Sequence, residues 1–412
     1  MSQAATQALP TSTSEPLFNP LSPAVIANPY PLYHRMRTTD PVHKSPLGMY
    51  VATRHADVSF VLKDQRFGKD YVGRVTRRLG AEALEEPIYK SMRHWMLVQD
   101  PPDHTRLRGL VVRAFTARRM EDMRPRIQAI VDRTLDRMIP MGHADLIADF
   151  AYRLPVIVIC EMLGIPEADQ EMFFSGARTG GRVLDPVPMS RAETDEANAA
   201  HLAIAEYFKG IFELRRREPK DDLITQLVQA EEAGNKLTNE ELIGNIILLF
   251  GAGHETTVNL IGNGLLALHR NPDQLALLKR EPDRIANAIE EFLRYDSSVQ
   301  ATGRVALVDV MLGDTAIAKG ENVLTLLGAA NRDPAMYPDP DRLDITRTNI
   351  KPFSFGGGIH FCLGAQLARI ESDVAISTLL QRLPELRLDN VETPDWRPNF
   401  VLRGLRALPA RW

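Results

Sequence analysis

Apolar residues recur at helical spacing through the middle of the chain, from about residue 103 to about residue 294. The segments "MRPRIQAIVDRTLDRMI" and "AIAEYFKGIFELRRRE" each place apolar side chains on one helix face and charged side chains on the other. Strand-like segments are short and lie toward the chain ends, in "GMYVATR", "VLTLLGAA" and "RVALVDVML". The pattern predicts a mainly α protein with small β-sheets.

The last third of the chain is rich in proline and glycine, as in "NRDPAMYPDPDRLDITR", which indicates ordered loops. No internal repeat and no long linker divides the sequence. We therefore expect a flexible N-terminal tail at residues 1–18 and a single domain at residues 19–412.

One predicted helix is much longer than the others. "TNEE" is a capping box, with Thr238 as the N-cap and Glu241 three residues later, and Asn271 with Pro272 marks the other end. About 32 residues lie between these signals, which corresponds to about 48 Å of helix. Because its residues are apolar on most sides, we expect this helix to run through the protein interior.

Composition narrows the possible functions. The net charge of −4 gives no reason to expect nucleic acid as a partner, and two distant cysteines do not form a disulfide framework. The N-terminal segment "MSQAATQALPTSTSEP" is polar and does not resemble a signal peptide. The best apolar run, "LIGNIILLFGAG", is interrupted by asparagine and glycine, which argues against a membrane anchor. We expect a soluble cytoplasmic protein.

The middle of the long helix contains the unusual segment "GAGHETT", Gly251 to Thr257. Each glycine costs about 1 kcal/mol relative to alanine inside a helix. The segment is either a small-residue packing site with one charge reaching solvent, or a helix opened to make room for a flat group or small molecule. "HETTV" is not a zinc-protease motif, since the second histidine is absent.

The two cysteines differ in their surroundings. Cys160, in "VIVICEMLG", has apolar neighbours and is predicted to be a core residue. Cys362 lies in the glycine-rich stretch "FSFGGGIHFCLG", directly before a predicted helix. Backbone N–H groups and the helix N-terminus both favour a thiolate, which could act as a nucleophile or as a metal ligand.

Spacing separates the candidate roles of Cys362. A cysteine phosphatase would place histidine directly before the cysteine and arginine six residues after it, whereas His360 is two before and Arg369 seven after. No second cysteine or close histidine pair completes a zinc site, and "FGGGIH" lacks the context of a dinucleotide loop. A single thiolate ligand to a metal with non-protein ligands remains, and haem iron fits that description.

A third motif is "EEFLR", in which Glu291 and Arg294 are three residues apart and share a helix face. Alone, such a pair is usually a solvated ion pair that contributes little to stability. Its significance depends on a further partner, for which Arg342 in "DPDRLDITR" is a candidate.

Together these motifs make the chain resemble the cytochrome P450 haem-thiolate monooxygenases of the soluble bacterial type. The resemblance rests on "FSFGGGIHFCLG", "AGHETT" and "EEFLR", and on the order of "DPPDHTRLRGLV", "NRDPAMYPDPDRLD" and "FVLRGLRALP". It extends from about residue 20 to the C-terminus. It implies a cytochrome P450 fold with haem b (iron protoporphyrin IX) between the long central helix and the cysteine loop.

The resemblance also implies roles for individual residues. Cys362 would be the metal ligand, the axial thiolate of the iron, with Phe355 packed near the sulfur. Glu255 and Thr256 would be the catalytic acid–alcohol pair that delivers protons, a pair that peroxide-using relatives commonly lack. A structural triad would consist of Glu291, Arg294 and Arg342. The remaining cofactor-binding positions, which include the cations expected at the haem propionates, would be His104, Arg108, Arg304, His360, Gly364 and Ala252.

The implied reaction is the oxidation of a hydrophobic small molecule by O2 with two electrons from a ferredoxin or flavodoxin and its reductase. Basic contacts for that partner would be Arg106, Arg113 and Arg369, and the protein is expected to be a monomer. Ser298 stands where many relatives have proline. The expected substrate-facing positions are Trp95, Met96, Leu249, Val299, Thr302, Phe400 and Val401. Peroxygenation, C–C coupling, dehydration and haem sensing without turnover are the alternatives.

Overall fold

The computed structural model describes residues 17–176, 180–232 and 237–412. The helices, in chain order, are α1 (Pro23–Ala27), α2 (Tyr30–Thr39), α3 (His55–Lys63), α4 (Tyr71–Leu79), α5 (Pro87–Met92), α6 (Asp103–Val111), α7 (Ala117–Asp122), α8 (Arg124–Met138), α9 (Arg153–Leu163), α10 (Gln170–Gly176), α11 (Arg191–Arg217), α12 (Leu223–Glu232), α13 (Asn239–Arg270), α14 (Pro272–Arg280), α15 (Ile285–Tyr295), α16 (Leu327–Asn331) and α17 (Ala365–Arg382). The strands are β1 (Val42–Ser45), β2 (Met49–Ala52), β3 (Phe67–Gly68), β4 (His143–Asp145), β5 (Ala301–Ala306), β6 (Val310–Leu312), β7 (Thr315–Ile317), β8 (Asn322–Leu326), β9 (Arg387–Leu388) and β10 (Pro409–Arg411).

The mainly α prediction is confirmed, and the three strand-like segments form strands in small sheets. A five-stranded sheet has the order β1-β2-β8-β5-β3, in which β2 and β8 are parallel and the other neighbours are antiparallel. In its register Arg304 of β5 lies opposite Val323 of β8. A three-stranded sheet, β4-β10-β9, and the hairpin β6-β7 complete the β-structure of the described ranges.

The predicted flexible tail covers residues 1–18. Residues 1–16 of the predicted tail lie outside the described residues, so the tail stays a prediction. Phe18 is buried, and its ring contacts the Phe400 ring edge-on at a centroid distance of 5.6 Å. Among the helices of residues 17–176, 180–232 and 237–412, none is long and apolar enough to cross a bilayer.

Helix α13 is the predicted long helix, with 32 residues, and its capping box is confirmed. The Glu241 N–H donates to Thr238 Oγ1 at 3.1 Å, and the Thr238 N–H donates to Glu241 Oε2 at 2.9 Å. The helix crosses the interior and takes part in two apolar clusters. Residues 242–250 belong to the cluster that contains α9, α11 and α12, and residues 258–268 belong to the cluster that contains α8, α15 and α17. The "GAGHETT" segment lies between them.

The buried pair Glu291–Arg294 anchors α15 to the loops around it. Both side chains are fully buried, and the guanidinium donates two hydrogen bonds of 2.7 Å to the carboxylate. Arg294 also donates to three main-chain carbonyls, those of Asn331 at 3.1 Å, Pro340 at 2.7 Å and Arg342 at 3.1 Å. The hydrogen bonds to every charged group offset the desolvation free energy that burying such an ion pair costs.

The third cation of this group is Arg347, and the prediction of Arg342 is wrong. The Arg347 Nε atom lies 3.5 Å from the Glu291 carboxylate, and its Nη1 donates to the Pro338 carbonyl at 2.7 Å. Arg342 lies in a turn in which its N–H donates to the Asp339 carbonyl at 3.1 Å, and it contributes only its main-chain carbonyl to the pair because its side chain is exposed.

Replacing Arg347 with methionine should therefore destabilise the fold, whereas replacing Arg342 should not. In the Arg347→Met variant the buried Glu291 carboxylate loses a neighbouring positive charge and the Pro338 carbonyl loses its hydrogen-bond donor. The free energy of unfolding should therefore fall by roughly 2 to 4 kcal/mol. Arg342→Met, the matched control, should stay within about 0.5 kcal/mol of the wild type. Thermal unfolding midpoints measure both, and equal losses would argue against this assignment.

Candidate functional site

The loop that carries Cys362 is held against α3 by glycine backbone. Gly356 and Gly358 have φ angles of 71° and 64°, in the left-handed region that side chains disfavour. A Cβ atom on Gly358 would lie 2.3 Å from the Leu62 carbonyl oxygen, so only glycine permits this approach. The loop then turns back on itself, with the Cys362 N–H donating to the Phe355 carbonyl at 2.9 Å.

The Cys362 thiol is accessible, in contrast to Cys160, which is buried as predicted. Burial among surrounding protein atoms raises the pKa of Cys362, while the Gly364 N–H and the nearby Arg108 and Arg369 lower it. The expected N–H effect is present at Gly364, but desolvation outweighs it together with the two arginine charges, so the expected lowering of the thiol pKa is wrong for the free thiol. An accessible sulfur that is also desolvated faces an internal space, and a metal cation would take it as a thiolate.

The four predicted propionate cations lie together beside this loop. The rings of His104 and His360 have a centroid distance of 4.3 Å. Arg108 Nη2 donates to the Phe361 carbonyl at 2.7 Å, which ties α6 to the cysteine loop. Arg304 is buried on β5, with its Nη1 bonded to the Gly303 carbonyl at 3.0 Å. Elements distant in sequence thus bring the predicted set to one place.

Two further cations join this group, and sequence reasoning missed both. Lys69 is only 4% exposed, and its Nζ donates to the Gly303 carbonyl at 3.2 Å. Arg74 on α4 adds charge repulsion to both Lys69 and Arg304. The one sequence feature that could have indicated Lys69 is its position directly after the short strand β3, but a lysine at a strand end is usually solvated. It is buried because Asp100 binds the Lys69 and Asp70 N–H groups.

The electrostatics of this cation cluster call for an anion. Burial lowers the pKa of Lys69 well below its usual value and that of Arg304 to about 10, with repulsion from neighbouring cations adding to both effects. The pKa values of His104 and His360 are also lowered, mainly by desolvation. Asp100 opposes these shifts at Lys69, Arg304 and His104. His104 Nε2 is buried without a hydrogen-bond partner in the described part of the chain.

These residues fit a haem. The cluster offers more buried positive charge than Asp100 balances, which suits a ligand with two carboxylates. An accessible thiol lies beside the cluster, since His360 and Phe361 are two and one residues before Cys362. Lys69, His104, Arg108, Arg304 and His360 could therefore hold propionates while Cys362 holds the metal.

The centre of α13 is uncovered, although the helix is otherwise mostly buried. Gly251 and Ala252 are exposed in mid-helix, which favours the opened-helix interpretation over the small-residue packing site. Thr256, one turn after Ala252, donates from Oγ1 to the Ala252 carbonyl at 2.9 Å. Helix α17, which begins three residues after Cys362, packs on α13 near this point, where Glu371 contacts the Thr257 hydroxyl.

Glu255 is the buried acid of this segment. It is 5% exposed, and its Oε1 lies 3.6 Å from Arg397 Nη1 without a hydrogen-bond partner among the described residues. Burial raises the pKa of Glu255 to about 7, and the Arg397 charge opposes that rise. Sequence reasoning missed Arg397, because nothing in "DWRPNF" indicates that its side chain reaches α13.

The predicted substrate-facing residues fall into two groups. Trp95, Met96 and Leu249 are buried in the cluster around the first half of α13. Phe400 and Val401 are buried in another cluster, with Val299 packed against it, and Thr302 is half-buried on β5. The Ser298 carbonyl accepts the Arg403 N–H at 2.9 Å and so joins these last segments. Their role at a substrate stays a prediction.

The predicted partner contacts differ in their availability. Arg106 forms ion pairs with Glu241 and with Asp103, and Arg369 forms one with Glu290 at 2.5 Å while lying over the Phe355 ring. Arg113 is exposed. Of the three, Arg113 presents the most accessible charge.

Known proteins resemble the chain over nearly its whole length. The family model described as Cytochrome P450 matches residues 45–406. Putative cytochrome P450 133B2 of Xylella fastidiosa (strain 9a5c) is 43% identical over 389 residues, which cover 94% of this chain and 97% of the relative. Cytochrome P450 monooxygenase PikC of Streptomyces venezuelae is 42% identical over 396 residues, covering 94% and 91% respectively. The structure of P450BioI in complex with hexadec-9Z-enoic acid ligated acyl carrier protein has a TM-score of 0.89 at 39% identity, covering 95% of this chain and 100% of that one.

The contact between Gly358 and Leu62 should make the loop intolerant of alanine. We expect Gly358→Ala to displace the cysteine loop, because the added Cβ meets main chain 2.3 Å away and φ is unfavourable. The loss should be roughly 2 kcal/mol or more, with a lower haem content after purification. Gly109→Ala is the matched control, since no atom lies within 4 Å of its added Cβ in α6. A Gly358→Ala protein with wild-type haem content and melting temperature would refute the constraint.

Proposed function

The chain belongs to the cytochrome P450 family, and on that basis we propose that it is a monooxygenase that oxidises a hydrophobic small molecule with O2 and two electrons from a separate ferredoxin or flavodoxin. The family consists of oxygenases that use haem as their cofactor and need a redox partner. Three features together support the proposal. The thiol of Cys362 is accessible, the buried cations beside it outnumber the carboxylates that could balance them, and α13 is exposed at Gly251 and Ala252.

Different residues of this chain would contact different parts of the haem. Cys362 would ligate the iron, and the cation cluster would pair with the propionates through charge-assisted hydrogen bonds. The small side chains at Gly251 and Ala252 would leave room for the ring on the α13 side. Haem bound through a thiolate supplies the redox centre at which O2 is cleaved.

Glu255 and Thr256 are assigned the movement of protons. A carboxylate with a pKa of about 7 exists in both forms near neutral pH, which suits a group that takes up and releases a proton. Its Oε1 is buried without a hydrogen-bond partner among the described residues, and Arg397 at 3.6 Å limits how far burial favours the neutral form. Thr256 Oγ1, bonded to the Ala252 carbonyl, keeps its lone pairs for a water molecule.

The same pair supports O2 over peroxide as the oxidant. Cleaving O2 to one inserted oxygen atom and water requires two protons and two electrons, whereas peroxide already carries them. A buried acid that is adjacent in sequence to a hydroxyl therefore serves the first reaction. The chain has two cysteines, one of them assigned to the haem, and so lacks the four that ferredoxin-type iron–sulfur clusters take, which supports an electron donor on another protein.

We also propose that the enzyme is monomeric and acts in the cytoplasm, with its redox partner contacting the exposed Arg113. Two cysteines without a disulfide in the described residues suit a reducing compartment.

The thiolate assignment predicts the spectrum of the reduced carbon monoxide complex. Haem-loaded wild type should give the long-wavelength Soret band of a thiolate ligand, and Cys362→His should lose it. Cys160→Ala, the matched control, should keep the band because that thiol is buried elsewhere. With a ferredoxin, a reductase, NADPH and isotopically labelled O2, one labelled oxygen atom per product molecule is expected. A wild-type band at the neutral-ligand position in folded protein would contradict the proposal.

The role of Glu255 predicts a pH dependence. Because its pKa is about 7, the acid form is lost as pH rises through that value, so turnover limited by proton delivery should fall above it. Glu255→Gln should remove this inflection and lower the rate roughly tenfold or more. Arg397→Met removes the charge that lowers the pKa and should move the inflection to higher pH.

The measurement is the rate of product formation across neutral pH with the electron donor saturating. Arg406→Met is the control, since that exposed arginine pairs with Asp395 at 3.5 Å instead. An inflection that survives Glu255→Gln, or that Arg406→Met moves as far as Arg397→Met does, would overturn the assignment.

A further inference from the structure

A cavity of about 70 Å³ lies between α4, α5 and the segment 182–189. Its wall is partly apolar, with Val75, Leu79 and Met92, and partly cationic, with Arg74, Arg78 and Arg182. Such a volume accommodates a carboxylate group together with a few water molecules. The mixed lining suits an amphipathic molecule better than a purely apolar one.

The cavity adjoins two regions already described. Arg74 Nη1 lies 3.5 Å from the position of a Cβ on Gly303, beside Arg304 of the cation cluster. On the other side Asp185, which also lines the cavity, accepts the N–H groups of Phe400 at 3.2 Å and Val401 at 2.8 Å. The cavity therefore lies between the proposed propionate site and residues predicted to face the substrate.

Of the three arginines, Arg182 is satisfied by the protein itself. It lies 3.4 Å from the Asp185 carboxylate and 3.2 Å from that of Glu193, and it donates to the Val187 carbonyl at 3.0 Å. Its contacts close one side of the cavity and leave it little capacity for a further anion.

Arg74 and Arg78 are not satisfied in this way. They are four residues apart on α4 and share one face. Arg78 donates one hydrogen bond, to the Asp185 carbonyl at 3.0 Å, and Arg74 has a guanidinium 5.9 Å from the Tyr71 ring centroid. Within the described ranges neither guanidinium lies within ion-pair distance of a carboxylate, since Asp70 binds Arg77 at 2.8 Å and Asp185 pairs with Arg182 at 3.4 Å. Burial lowers the pKa of both guanidinium groups, and repulsion from Arg74 and Arg182 adds to the effect at Arg78, while the charges of Asp70 at Arg74 and of Asp185 at Arg78 oppose it.

We propose, building on the monooxygenase function above, that Arg78 and Arg74 bind the carboxylate of the substrate, so that the enzyme acts on long-chain carboxylic acids. A guanidinium fork matches a carboxylate in two parallel hydrogen bonds. The substrate carboxylate would therefore supply the anionic partner that both arginines, one helix turn apart, lack. The apolar part of the acid would contact Val75, Leu79 and Met92 on the apolar wall and extend beyond the cavity, whose volume of about 70 Å³ matches the head group.

Arg78 tests this proposal more cleanly than Arg74. Arg74 adjoins Lys69 and Arg304, so its loss also affects the proposed propionate site. Arg78 lies about 6 Å further along the helix. Arg77 is its neighbour on the exposed face, paired with Asp70, and provides a matched control of the same residue type on the same helix.

The experiment compares the binding of tetradecanoic acid, its methyl ester and tetradecan-1-ol to haem-loaded protein. Calorimetry and the haem spectral shift give two independent dissociation constants. The wild type should bind the acid at least about tenfold more tightly than the ester or alcohol. Arg78→Gln should weaken binding of the acid by roughly 10- to 100-fold and leave the ester unchanged, whereas Arg77→Gln should change neither.

Equal affinity of the wild type for acid and ester would overturn the proposal, as would equal losses in Arg77→Gln and Arg78→Gln. If Arg78→Gln does not fold, the wild-type comparison of acid and ester still decides. The carbon monoxide spectrum of the same sample separates the two hypotheses. A thiolate band with equal acid and ester affinity rejects only the substrate class, and a neutral-ligand band rejects the monooxygenase.

Discussion

The interior of this protein is organised around a helix that crosses it while leaving one part of its own surface uncovered. Helix α13 is held at its start by reciprocal hydrogen bonds between Thr238 and Glu241 and is packed over both halves by separate apolar clusters. Between those clusters, Gly251 and Ala252 contribute almost no side-chain volume. A long helix can carry such a gap because the packing on either side stabilises it, so the two cores also maintain the space between them.

The buried charges beside the cysteine loop are also arranged for a group that the polypeptide does not supply. The polypeptide gathers buried cations next to the cysteine loop without enough carboxylates to balance them, and their pKa values move in the direction that relieves the imbalance. An anionic cofactor restores the balance. Because it binds the folded chain and not the unfolded one, loading and folding are thermodynamically linked. The protein without its cofactor is accordingly the less stable form.

Local signals in the sequence predicted the parts of this structure that depend on neighbouring residues. The capping box at Thr238, the strand segments and the glycine-dependent turn before Cys362 are of this kind. Arg342 and Arg347 have the same side chain, lie five residues apart and share one loop, so only the path of the chain decides which reaches Glu291. Lys69 likewise becomes buried, and Arg397 half-buried, through contacts with distant segments. The pKa of Cys362 was misjudged for the same reason, since desolvation is a tertiary effect.

The contacts of Arg294 have a consequence for evolutionary drift. This side chain holds the segment from Asn331 to Arg342 by its main-chain carbonyls, and Arg347 adds the carbonyls of Pro338 and Asp339. Carbonyl groups are the same in every residue, so these hydrogen bonds do not depend on the side chains of the loop, and the loop side chain that Arg294 also contacts is the buried Tyr337 ring, at 5.4 Å from its guanidinium. Mutations can accumulate along its exposed positions while its path stays fixed, and the loop can acquire new surface chemistry without endangering the core.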